Sequence, residues 1–135
     1  MGVEKTELVW LNGKLIAWDE ANVHILTHTL HYGLGVFEGI RCYRADDGRS
    51  SVFRLKEHVE RLHLSAKIVE IAMPWSREQI ETAILDTLRA NRMAERDGAA
   101  VDIDFLGRQP QLFLRRHRDR RERFVDFEQV HLIHR

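Results

Sequence analysis

Two apolar stripes of helical period run through the middle of this chain, and they decide what it can fold into. Leu55, Val59, Leu62, Ala66 and Val69 recur at intervals of four, three, four and three. That is one face of a helix over about residues 54–71. Pro74 lies beyond its end. Ser76 with Gln79 three residues on forms a capping-box signature. It opens a second helix over 77–92, whose buried side is Ile80, Ile84, Thr87 and Leu88. Two helices with one apolar face each need a further layer to cover them.

The residues before them supply that layer. ELVWLNGKLIAW holds two apolar runs around Asn12-Gly13, the pair best suited to positive φ in a type I′ hairpin. DEANVHILTHTLHYG has no clear period beyond a turn or short helix near 19–22. GVFEGIRCYR reads as a strand interrupted by glycine. Asp46, Asp47 and Gly48 make a turn, and SSVFRL returns as a strand. Residues 1–93 are therefore expected to form an α+β layer, an antiparallel sheet of about four strands packed by two helices.

Composition changes after Met93. Residues 94–135 contain nine arginines and no lysine, against eight arginines and four lysines before them. QLFL and FVDFEQVHLI suit strands or a helix but show no consistent pattern, and RRHRDRRERF is charged at most positions. With no clear buried face, little offsets an ordering entropy of about 1–2 kcal/mol per residue, so this stretch is expected to pack poorly. Lysine plus arginine equals aspartate plus glutamate at 21 each. That balance, with Asp119 and Glu122 inside the 115–123 arginine cluster, argues against a nucleic-acid partner. No apolar run at the N-terminus suggests a leader or membrane anchor. Cys42 is the single cysteine, which excludes an intrachain disulfide and suits a cytoplasmic location.

Three features point toward chemistry, each with a plainer alternative. Gly39 removes a side chain from the strand face that Phe37 shares, making a slot floored by backbone; the pair equally suits a twisted strand with aromatic cover. His24, His28 and His31 are spaced as metal ligands on a helix, but no local cysteine or carboxylate completes a set, and hydrogen-bonded structural histidines are favoured. Arg54, His58, Arg61 and Ser65 form a second stripe beside the apolar one. It can grip a phosphate or serve as a solvated face.

WLNGKLIAWDEANVHILTHTLHYGLGVFEGIRCY, followed by FRLKEHVERLHLSAKI, resembles the N-terminal small domain of bacterial branched-chain amino acid aminotransferases. These are class IV, fold-type IV enzymes that use pyridoxal phosphate. The likeness covers about residues 8–93 and rests on the HYG, VFEGIR and RLHxSAK blocks. It implies that Arg61 holds the cofactor phosphate, and that Tyr32, Phe37 and Gly39 line the pocket for the branched side chain. It also implies an amino acid and a 2-oxo acid as small-molecule partners, and a homodimer or higher oligomer.

The chain departs from the family where the chemistry is done. The lysine that carries the cofactor lies in the family's larger C-terminal domain, and no lysine follows Lys67 here. In place of a YIRP-like strand the chain reads AERDGAAVDIDFLG. Lysine-free, arginine-rich sequence is what an out-of-frame reading of GC-rich DNA produces. The expectation is a truncated, inactive fragment with a foreign tail, no catalytic residue of its own and no stable hold on pyridoxal phosphate. The alternative is a non-enzymatic dimerisation or interaction module.

Overall fold

The computed structural model describes residues 5–44, 47, 49–93, 99–106 and 112–117, the last two stretches as backbone. Strand β1 (Leu8–Leu11) and strand β2 (Lys14–Ala17) pair antiparallel, with Leu11 opposite Lys14. Asn12 and Gly13 take φ of 52° and 96° in the two-residue loop, as the sequence predicts. A short helix, α1 (His28–Tyr32), ends at Gly33, whose φ of 66° lets its N–H reach back to the Thr29 carbonyl. Strand β3 (Gly35–Arg44) follows, then β4 (Ser50–Val52). Asp46 and Gly48 of the expected turn lie outside the described residues.

Helices α2 (Leu55–Ile68) and α3 (Arg77–Ala90) occupy the two predicted spans. Val59, Leu62 and Ala66 of the first stripe are buried, with Leu55 and Val69 packed at the margin. Ile80, Ile84, Thr87 and Leu88 of the second are buried as expected. The Ser76 hydroxyl accepts from the Gln79 N–H, and the Gln79 side chain accepts from the Ser76 N–H, closing the capping box. α2 packs on the row of β3 that carries Ile40 and Cys42, α3 packs against α2 and β1, and the α+β class is as read.

Two differences concern the sheet. The β1–β2 hairpin forms its own two-stranded sheet, and the four-stranded sheet runs β4-β3-β5-β6. Two of its strands, β5 (Ala99–Leu106) and β6 (Leu112–His117), come after Met93, where the sequence shows no consistent pattern. β5 pairs antiparallel with β3 along Gly35 to Cys42, and β6 pairs with β5. The physical reason is β3 itself: it is ten residues long, and its edge away from β4 offers a long row of backbone groups that need partners. Residues 118–135, with most of the arginine cluster, lie outside the described residues.

Candidate functional site

Alternation along β3 sorts its residues onto two faces. Glu38, Ile40 and Cys42 are buried on the face toward α2, while Gly35, Phe37, Gly39 and Arg41 are exposed on the other face. Glu38 is a carboxylate in an apolar row, only 3% exposed. Such a group needs compensating donors.

Helix α2 provides them. His58 and Arg61, three residues apart, share a face. Arg61 Nε donates to Glu38 Oε1 at 2.5 Å, and Nη2 donates to Oε2 at 2.7 Å, a paired fork on carboxylate. His58 Nδ1 lies 2.9 Å from Glu38 Oε2. Burial pushes the Glu38 carboxyl up, but hydrogen bonds and charge from Arg61 and His58 outweigh it and hold the group below its ordinary value. The hydrogen bonds to Glu38 raise Arg61 further, against the smaller effect of burial. The guanidinium is nonetheless open on its outer side, with 57% of the side chain exposed. Of the other stripe residues, Arg54 turns to Glu57 at 3.1 Å.

The proposed pocket residues sit elsewhere. Phe37 and Gly39 occupy the exposed face of β3, opposite the row that carries Glu38, so Arg61 and Phe37 approach the sheet from different sides. Phe37 is 77% exposed and Tyr32, at the end of α1, is 75% exposed. Ile25, Leu26 and Leu30 are also open to solvent. The Tyr32 ring tilts against His28 with centroids 4.5 Å apart.

The three histidines serve different local bonds. His24 Nδ1 accepts from the Leu26 N–H, and His31 Nε2 meets the Ile25 carbonyl at 2.9 Å. His28 Nδ1 is buried without a hydrogen-bond partner. Among the described residues no three His, Cys, Asp or Glu side chains gather as a metal set. No helix among them is long and apolar enough to cross a membrane.

Glu38 is the residue that the sequence reading missed. Its signal was present: period-two alternation puts Glu38 in one row with Val36 and Ile40, and a charge in a core row requires a cation.

The class IV amino-transferase family matches residues 35–123, which span β3, both long helices and both late strands. The chain belongs to the class IV aminotransferases. The branched-chain-amino-acid aminotransferase of Escherichia coli (strain K12) is 43% identical over 93 residues, covering 69% of this chain and 30% of that protein. The putative branched-chain-amino-acid aminotransferase of Methanocaldococcus jannaschii is 45% identical over 87 residues, 64% of this chain and 28% of the relative. The crystal structure of the Escherichia coli branched-chain enzyme superimposes with a TM-score of 0.75 at 33% identity, over 84% of this chain and 40% of that one. The branched-chain enzyme of Thermobaculum terrenum, in its PLP-bound holo-form, gives 0.71 at 27% identity, over 84% and 40%. This class IV chain thus spans less than a third of the length of these two sequence relatives.

Proposed function

We propose that this chain supplies the small-domain part of a pyridoxal-phosphate-dependent amino-group transfer between leucine, isoleucine or valine and 2-oxoglutarate. We propose too that the 135 residues alone do not turn over. The observation that carries the reading is the set of donors at Arg61. A phosphate monoester asks for a fixed cation with paired N–H groups. Arg61 has such donors left on its exposed side, because only Nε and Nη2 are engaged by Glu38. The residues present therefore fit the phosphate end of the cofactor. When bound, the cofactor supplies an electron sink that makes the substrate α-proton acidic. Arg61 would anchor the phosphate, and Tyr32 with Phe37 and Gly39, which lie on the other face of β3, would contribute an apolar wall for the branched side chain.

The remaining requirement is a lysine, and none of the four suits it. Lys5 is paired with Asp19 at 2.7 Å. Lys14 is exposed in β2, and Lys56 and Lys67 are exposed on α2. Lys67 is six residues beyond Arg61, about 9 Å along the helix and well round it.

A chimera tests the reading. Residues 8–93 of this chain replace the matching segment of the Escherichia coli relative. Retained cofactor and leucine-dependent glutamate formation are expected, with cofactor affinity falling roughly tenfold or more on Arg61→Ala, the loss of a charge-assisted pair. A folded chimera whose cofactor affinity ignores Arg61 would contradict it. The exposure of Ile25, Leu26, Leu30, Tyr32 and Phe37 favours one second reading, an interaction module. Self-association of the isolated chain, abolished by Phe37→Ser, would support that instead.

A further inference from the structure

We infer that Glu38 is a positioning residue, which with His58 fixes the direction in which Arg61 offers its free donors to a phosphate. The inference rests on the reading of Arg61 as a phosphate ligand and deepens it.

A guanidinium is a rigid plane with five N–H bonds. Here the Nε and Nη2 edge is docked on Glu38. Because the plane is rigid, docking one edge sets the direction of the other, and the donors at Nη1 and the outer side of Nη2 project away from the carboxylate. Glu38 cannot follow the arginine outward. It is 3% exposed in a strand row with Ile40 and Cys42, both buried. His58 completes the clamp, since an ionised carboxylate only accepts and the ring must donate Nδ1–H to Oε2 at 2.9 Å. A long, mostly exposed side chain otherwise loses rotamer freedom on gripping an anion. Here that ordering is already complete before the anion arrives.

The charge of Glu38 makes the inference testable by sign. If Glu38 acted only as a nearby negative charge, neutralising it would strengthen phosphate binding. If it positions Arg61, neutralising it weakens binding. The experiment is nitrogen-15 NMR of the arginine side chains in the full chain, titrated with inorganic phosphate, alongside pyridoxal phosphate and phosphate-free pyridoxal. In the wild type, a slowly exchanging Arg61 Nε–H and separately resolved Nη1 and Nη2 signals are expected, and both phosphate compounds shift Nη1. Pyridoxal leaves it in place. In Glu38→Gln the two Nη signals merge, and apparent phosphate affinity falls about threefold or more. Arg61→Lys, which keeps the charge without the fork, falls similarly. Equal or tighter phosphate binding by Glu38→Gln overturns the positioning role and leaves Arg61 as ligand. An Arg61 that ignores phosphate in the wild type overturns the underlying reading and this inference with it. Should Glu38→Gln not fold, merged Nη signals in the wild type still overturn the clamp.

Discussion

Asn91 holds Leu8 as a neighbouring strand would. The Leu8 N–H donates to Asn91 Oδ1 at 2.9 Å, and Asn91 Nδ2 donates back to the Leu8 carbonyl at 2.9 Å. The same Nδ2 reaches the Thr87 carbonyl at 2.9 Å. One side chain at the C-terminal end of α3 thereby anchors the first residue of a hairpin 83 positions earlier. Asn91→Ala leaves the part-buried Leu8 N–H without its partner, while the Leu8 carbonyl keeps the Thr6 hydroxyl at 3.0 Å and the Thr87 carbonyl keeps the residue-91 N–H, at an expected cost of about 1–3 kcal/mol. Urea unfolding measures that cost, and amide exchange at Leu8 should accelerate more than at Ile80.

Gly13 is a second point where the hairpin can be broken. Its φ is 96°, and a Cβ added there would lie 3.9 Å from Trp75 Nε1, ordinary contact. Strain rather than crowding therefore sets the penalty. Gly13→Ala should destabilise by more than about 0.4–1 kcal/mol, and Gly13→Asn, which tolerates positive φ better, by less. Paired denaturation curves check the order.

The Glu38 cluster gives the fold an acid limit. The Glu38 carboxyl lies below its usual 4.5 in the folded chain, so the unfolded chain binds the proton first as pH falls. Its contribution is present above about 4.5 and lost as pH drops through the lower folded value. Glu38→Gln should flatten the stability profile below pH 4.5. A Glu38→Gln profile with an unchanged acid slope would place the acid sensitivity elsewhere.

The parts legible in the sequence were those with local causes. Asn12-Gly13 needs only its own backbone preferences. Leu55 to Val69 needs only a helical period, and Ser76 with Gln79 needs only four residues. The hairpin's anchor at Leu8 is Asn91, far away in sequence, and no local rule contains it. β5 was overlooked although Val101, Ile103 and Phe105 alternate with Ala100, Asp102 and Asp104. Its two aspartates and the arginine-rich context masked a period of two. At the site, His58 and Arg61 were visible as a stripe because they share a helix. Alternation along β3 marks Glu38 as a charge in a core row, but nothing local pairs it with them, because Glu38 lies 23 positions from Arg61, on another element.

We propose that Arg61 serves as phosphate anchor and Tyr32, Phe37 and Gly39 as pocket wall, without the lysine that the chemistry needs. The direct measurement mixes the purified chain, freed of host aminotransferase, with pyridoxal phosphate, leucine and 2-oxoglutarate, and follows glutamate formation. No glutamate above the protein-free rate is predicted. Steady turnover by the wild type that disappears in Arg61→Ala would contradict the claim, for it would mean that one of Lys5, Lys14, Lys56 and Lys67 serves the cofactor after all.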